Sequence, residues 1–264
     1  MLRADYFYYT SIREVVCMSN WIKGKVVENK HWTDLLYSLR IEADIDPFVA
    51  GQYGRLGLEV DDQIVGRPYS FVNAPHEPLH EFYSIKVSDG PLSPKLAELD
   101  AGDSVYIDKR VNGFFTLNEV PEGRDMWMLA TGTALGPFLS ILQSEEVWQR
   151  FENVVLVHAV RFKNELTYQD TSADLKYQFK DRFQFIPFVS REEVEFTLPG
   201  RIPAAIANGQ LEEKANMQFS AEHSQVMLCG NPDMLIDTRS ALKEIGLKKN
   251  LRRSPGQITT ESYW

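Results

Sequence analysis

Cysteine is scarce: only Cys17 and Cys229 occur in 264 residues. Iron–sulfur clusters take about four thiolates, so such a cluster is excluded, and so is a disulfide scaffold; the usage fits a reducing, cytoplasmic setting. Positive charge is in deficit, with 28 basic against 37 acidic side chains and a formal net charge of −9. Binding to nucleic acid draws on a basic face, so no such partner is expected. Long apolar runs are missing as well. Residues 1–17 carry Arg3, Asp5, Arg13 and Glu14, which leaves no room for the apolar stretch of a secretory leader. Met126 to Ser144 is uncharged, yet Thr131-Gly132-Thr133 and Pro137 break its middle, so it reads as strand, turn and helix rather than as a membrane span. His31, His76, His80, His158 and His223 are scattered, without HExxH or Ser–His–Asp spacing; no metal site and no hydrolase chemistry are expected.

What remains is a chain of ordinary globular composition, 44% hydrophobic and 25% charged, long enough for one large domain or two modest ones. From Trp21 to about Val120 short β-rich runs alternate with Gly, Pro, Asn and Asp: Gly24 to Val27, Leu35 to Leu39, Tyr53 to Val60, Tyr69 to Val72, Glu81 to Val87 and Ser104 to Ile107. This rhythm predicts a small antiparallel β-barrel. After Pro121-Glu122-Gly123 apolar strands alternate with longer helical stretches, at Met126 to Ala130, Val154 to Val160, Phe183 to Val189 and Val226 to Cys229. That pattern predicts α/β units on a parallel sheet. The expected division is an extension over 1–17 of unassigned role, a barrel over 18–121 and an α/β domain over 122–264. Met18-Ser19-Asn20-Trp21 itself reads as a start, so the extension is expected to be dispensable.

Four segments carry chemistry. Arg67-Pro68-Tyr69-Ser70 lies where a barrel strand is expected to begin; alone it is no more than a polar sheet face. Gly90-Pro91-Leu92-Ser93-Pro94 has a Gly turn, Ser93 as expected N-cap and Pro94 at the first helical position, an arrangement that gathers backbone N–H groups for a phosphate. Ala130-Thr131-Gly132-Thr133 runs from an apolar strand into a Gly turn and a Pro-containing helix, as in dinucleotide sites, though it is not a strict GxGxxG and also suits an ordinary tight turn. Cys229-Gly230-Asn231-Pro232 puts a thiol and a Gly at the carboxyl edge of the sheet, where ligands of such sheets bind.

Taken together and in this order, from about Trp21 to Trp264, the segments resemble the bacterial branch of the ferredoxin (flavodoxin)–NADP reductase family. The resemblance implies a barrel that binds FAD followed by an α/β domain that binds NADP. It implies that Arg67 pairs with the FAD pyrophosphate, that Tyr69 lies against the flavin ring and that Ser70 hydrogen-bonds near flavin N5. Gly90, Leu92 and Ser93 match the family's pyrophosphate turn, and Glu81, Phe82 and Tyr83 its flavin-side strand, although Phe82 also suits a core position. Thr131, Gly132, Thr133, Cys229, Gly230 and Asn231 match nicotinamide-side segments; Glu261-Ser262-Tyr263-Trp264 is similar to the branch's aromatic tail, with Tyr263 and Trp264 packing on FAD and Trp264 against its adenine end. The residues expected closest to the chemistry are Tyr69, Ser70, Cys229 and Trp264.

A 2′-phosphate calls for Arg where NAD sites favour an acidic residue. Arg161, Arg191 and Arg201 stand at matching basic positions, which points to NADP. The implied activity is electron transfer from NADPH to ferredoxin or flavodoxin; the alternative is an NADPH-dependent flavin reductase or diaphorase without a protein partner. Carriers of this kind are acidic by the same resemblance, so docking is expected near Lys248, Lys249, Arg252 and Arg253. A cluster at a solvated helix end is the plain alternative for these cations. A monomer with no membrane contact is the expected state.

Overall fold

A computed structural model describes residues 20–263; the expectations placed on residues 1–17, on Met18 and Ser19 and on Trp264 lie outside them. The first sheet contains β1 (Trp21–His31), β2 (Leu36–Glu42), β3 (Tyr53–Val60), β4 (Gln63–Ser70) and β5 (His80–Ile85), then the short helix α1 (Ser93–Ala97) and β6 (Ser104–Asp108). Its strands are antiparallel in the order β4-β3-β6-β1-β2-β5. A bridge between Phe71 and Phe82 and a hydrogen bond from Val72 N–H to Glu81 C=O (2.9 Å) join its two ends.

Side-chain alternation explains β2 and β5, which are buried on both faces. Tyr37, Leu39, Ile41 and Phe82 point into the barrel core with Val26, Leu56, Phe71, Val105 and Ile107. Leu36 and Tyr83, of opposite parity, join the core of the second domain. Strand β4 starts earlier than expected because Asp61 and Asp62, both at positive φ, form a two-residue turn that pairs Val60 with Gln63. Arg67-Pro68-Tyr69-Ser70 therefore ends that strand instead of beginning it.

The second domain runs β7 (Asp125–Thr131), α2 (Gly136–Leu142), α3 (Glu146–Arg150), β8 (Asn153–Val160), α4 (Gln169–Phe179), β9 (Phe183–Val189), β10 (Leu198–Pro199), α5 (Ile202–Ala207), α6 (Gln210–Ala215), β11 (Ser224–Gly230), α7 (Pro232–Glu244) and β12 (Ile258–Ser262). The sheet is parallel, in the order β10-β9-β8-β7-β11-β12. Strands β10 and β12 were not expected from the sequence. The central strands are near-continuous apolar runs because helices or the barrel cover both faces. On β7, Met126, Met128 and Ala130 pack toward the barrel, whereas Trp127 and Leu129 pack with Ile202, Leu211 and Leu235 under the opposite helices.

The segment from β6 to β7 contains the expected boundary, but the hydrophobic core crosses it. Leu36, Val72, Tyr83, Phe115, Leu117 and Val120 share one cluster with Met126, Met128, Phe138 and Cys229. Arg150 on α3 donates to the carbonyls of Leu117 (2.6 Å) and Val120 (2.7 Å), tying this segment to the second domain.

Candidate active site

Strands β7 and β11 are neighbours at the middle of the parallel sheet, and both end at one cleft. Gly132, just past β7, has φ +54° with open space where a Cβ would stand, so its backbone is free to approach a ligand. Gly230, at the end of β11, has no such room: a Cβ there would lie 2.1 Å from Thr131 Oγ1. The next amide, Asn231 N–H, donates to that same Oγ1 at 3.3 Å. Asn231 also caps α7, its side chain accepting from Asp233 N–H (2.9 Å) and Met234 N–H (3.4 Å). Beneath the turn, Nε2 of the fully buried His158 lies 3.0 Å from the Gly132 carbonyl. Burial lowers the His158 pKa to about 4, so the ring is neutral at pH 7 and Nε2–H is the donor.

The cleft measures about 430 Å³ and brings together Thr131, Gly132, Thr133, Asn231 and all three expected arginines, Arg161, Arg191 and Arg201. Its other wall belongs to the barrel, through Leu36 and Ile85. The loops after β8 and β9 are zipped together: Ser190 N–H donates to Val160 C=O (3.1 Å) and Arg191 N–H to Arg161 C=O (2.9 Å). Glu165 Oε2 accepts from the backbone of Arg161 (2.8 Å) and Phe162 (3.2 Å), and the Arg191 guanidinium sits 5.8 Å from the Phe162 ring centre. Two cationic side chains are thus held on one rim by backbone contacts.

On the barrel side, Arg67 is exposed and its guanidinium donates to the carbonyl of Gly66 (2.9 Å). Tyr69 is half-buried; burial raises its pKa to about 12, against the opposing pull of Arg67. Ser70 is buried and hydrogen-bonds the Tyr263 side chain, while Tyr263 N–H donates to Gly230 C=O at 3.1 Å. The end of β4, the end of β11 and the tail therefore meet at one point. Cys229 lies in register with Ala130 and Glu261 and is fully buried, which pushes its thiol pKa up. Glu261 is likewise raised by burial, to about 7.

A second cleft, about 490 Å³, opens beside these residues between Gln52, Tyr53, Asn112, Phe114, Thr260 and Glu261. Tyr53 pairs across the sheet with Ser70. Sequence reasoning missed this cleft, because its walls are far apart in the chain. Two glycines mark its surroundings: Gly51, at φ +96°, where a Cβ would fall 2.0 Å from the Phe115 carbonyl oxygen, and Gly113, at φ +115° against the Tyr53 ring.

Other expected residues are placed differently. Phe82 is 1% exposed inside the barrel core, its ring tilted against that of Phe71 at 5.0 Å between centres, so its side chain reaches no cleft. Glu81 and Tyr83 face the second domain, accepting hydrogen bonds from Tyr168 (2.6 Å) and Thr167 (3.0 Å). Ser93 is the first helical residue and not the N-cap, which is the buried Leu92. Its Oγ accepts from Val87 N–H (3.0 Å), so the hydroxyl closes the Gly90 loop on itself. The basic stretch is no helix end: α7 stops at Glu244, and 248–253 form an excursion that bridges Lys249 to Ile258. Arg252 there pairs with Glu119 (3.3 Å) and lies 5.3 Å from the ring centre of Phe114, which is 71% exposed.

The family model for an oxidoreductase NAD-binding domain matches residues 128–240. The flavodoxin/ferredoxin–NADP reductase of Escherichia coli is 48% identical over 248 residues, covering 94% of this chain and 100% of that protein. The ferredoxin–NADP reductase of Pseudomonas aeruginosa is 34% identical, covering 92% of this chain and 98% of the relative. Among solved structures, a ferredoxin NADP⁺ reductase from Neisseria gonorrhoeae with bound FAD and NADP superposes with a TM-score of 0.88 at 34% identity, covering 93% of this chain and 99% of that one.

Proposed function

The chain belongs to the flavodoxin/ferredoxin–NADP reductase family, and from that membership we infer an FAD-containing oxidoreductase that moves electrons between NADPH and a one-electron protein carrier, ferredoxin or flavodoxin. The observation that carries the reading is the convergence of Arg161, Arg191 and Arg201 with the Thr131-Gly132-Thr133 turn in one cleft walled by the barrel. FAD, when bound, would supply the redox chemistry that matches a two-electron donor, NADPH, to a one-electron carrier.

The residues present fit both cofactors. Arg161, Arg191 and Arg201 hold the 2′-phosphate through charge-assisted hydrogen bonds. The open Gly132 backbone and the capped start of α7 take the rest of the dinucleotide on the nicotinamide side. Arg67, exposed and among the described residues hydrogen-bonded to Gly66 alone, can turn its planar fork to the FAD pyrophosphate, which the Gly90–Ser93 loop would also hold. Tyr69 lies against the flavin ring and Ser70 orients its reacting edge. The second cleft, with Tyr53, Phe114 and Glu261, continues from Ser70 and holds the remainder of FAD against the tail. Cys229, kept as a neutral thiol by burial, packs behind the turn without supplying charge. Leu36 and Ile85 exclude water from the barrel side of the cleft, so that rate rests on positioning.

The protein acts as a monomer in the cytoplasm; among the described residues no helix is long and apolar enough to cross a membrane. With a net charge of −9, approach of an acidic carrier requires a local basic face, and Lys248, Lys249, Arg252 and Arg253 provide it. The test is an anaerobic titration. NADPH should bleach bound FAD, and purified ferredoxin or flavodoxin should restore its colour. Turnover with free flavin but with neither carrier would overturn the reading in favour of a flavin reductase.

A further inference from the structure

One partly buried hydrogen-bond chain crosses between the domains, and no step described above uses it. Trp32 Nε1–H donates to Ser38 Oγ (2.8 Å), which lies 2.6 Å from the Tyr168 hydroxyl, and that hydroxyl donates to Glu81 Oε1 at 2.6 Å. Since the Tyr168 proton goes to Glu81, Ser38 is the donor to Tyr168 and every link is satisfied. Tyr168 is 7% exposed, with the Trp32 ring 4.7 Å and the Tyr83 ring 5.3 Å from its own. Its backbone is left-handed, at φ 54° and ψ 31°, where large side chains are rare. Such a conformation persists when the surroundings over-determine it, and it clusters where geometry matters to function.

The strands explain what that geometry controls. Leu36 and Ser38 lie two apart on β2; Glu81, Tyr83 and Ile85 lie two apart on β5. Residues of one parity share a face, and Leu36 pairs directly with Ile85. The face gripped by Tyr168 is therefore the face that walls the dinucleotide cleft. We propose that Tyr168 is a positioning residue for hydride transfer, its hydroxyl setting, through Ser38 and Glu81, where the Leu36–Ile85 wall stands relative to the Thr131-Gly132-Thr133 turn of the other domain. The proposal rests on the assignment of that cleft to NADP.

The test uses the FAD-loaded enzyme carrying Tyr168→Phe, which deletes only the hydroxyl. FAD content should be full, and the dissociation constant of NADP⁺ by calorimetry should stay within about twofold, because the arginines are untouched. Bleaching of the flavin by NADPH in stopped flow should slow about tenfold, the scale expected of a small misplacement of reactants. Amide exchange in the first turn of α4, where Ser172 N–H donates to Tyr168 C=O (3.1 Å), should accelerate. Ser38→Ala cuts the same chain elsewhere, so the double variant should bleach no slower than the slower single variant. Wild-type bleaching in Tyr168→Phe, or slowing that multiplies in the double variant, overturns the proposal. If Tyr168→Phe fails to fold, Ser38→Ala decides alone: slower bleaching supports the proposal and a wild-type rate overturns it. Arg191→Ala is run in parallel. If it leaves NADP⁺ affinity unchanged, the assignment of the cleft has failed, whereas normal bleaching in Tyr168→Phe beside weakened NADP⁺ binding in Arg191→Ala removes only the positioning role.

Discussion

Gly230→Ala adds a single methyl group where β7 and β11 open onto the cleft. The new Cβ would stand 2.1 Å from Thr131 Oγ1, 3.3 Å from Thr131 Cβ and 2.7 Å from Met234 Cε. Met234 ends in a flexible methyl and can turn aside. Thr131 cannot, because it closes β7 and its Oγ1 accepts from Asn231 N–H. Relief must come from separating the two strand ends. Overpacking of this kind costs about 1–3 kcal/mol, and the positive φ of 153° at Gly230 adds about 1 kcal/mol more for an alanine. At roughly 2–4 °C per kcal/mol, thermal unfolding of the FAD-loaded protein should fall by about 4–16 °C. The KM for NADPH should rise about tenfold, since Thr131 and Asn231 line the cleft. Adding Thr131→Ala removes the clashing oxygen and should return more than half of the lost melting temperature, a non-additivity expected only of groups in contact. A Gly230→Ala protein that melts within about 1 °C of wild type, with unchanged KM, would refute the reasoning.

Arg161→Ala and Arg191→Ala should each raise the KM for NADPH by about one to two decades, the worth of a charge-assisted contact, and leave that for NADH nearly unchanged; equal effects in steady-state assays would remove the 2′-phosphate role. Deleting Tyr263 and Trp264 takes away the side chain bonded to Ser70 and should loosen FAD, measured as flavin lost on gel filtration; full retention and normal kinetics would refute it. Burial raises Glu261 from its ordinary value of 4.5 to about 7, so folding favours its protonated form. Its contribution is therefore complete below about pH 4.5 and lost as pH rises through 7, and Glu261→Gln should flatten that part of the stability profile. Lys248→Glu with Arg252→Glu should slow reduction of the protein carrier severalfold at low salt and spare NADPH–ferricyanide turnover; equal losses with both acceptors would assign the stretch to folding or to NADPH.

Both sheets were legible because their strands carry plain periodicities. Val154 to Val160 is an apolar run interrupted by His158 alone and closed by a charged Arg161, and the strand over Tyr53 to Val60 ends where the Asp61-Asp62 turn begins. The three arginines that share the cleft could be picked out because Arg161 directly follows a strand, Arg191 stands two residues past one and Arg201 follows Gly200. The side-chain partners of Glu81 and Tyr83 could not be read, since a polar residue on a strand does not say which neighbour its face meets, and here that neighbour is the segment leading into α4, about 85 residues away. Ser93 looked like an N-cap beside Pro94, yet the loop claimed its hydroxyl first. The cleft around Tyr53 and Phe114 left almost no trace, because it exists only once β3, the segment after β6 and the C-terminal strand lie side by side.

The core that runs across the domain boundary bears on modularity. Cutting the chain near residue 121 would strip Leu36, Val72 and Tyr83 from Met126, Met128 and Phe138 and leave each half with a contiguous apolar patch, the kind of surface that drives aggregation. Exchange of nucleotide domains among relatives meets the same obstacle. A chimera joined at residue 121 inherits two faces that were shaped by different partners. Its success should depend on moving the β2–β5 face together with Thr167, Tyr168 and the Arg150 clamp on Leu117 and Val120, so the heritable unit is this seam and its two flanks rather than either fold alone.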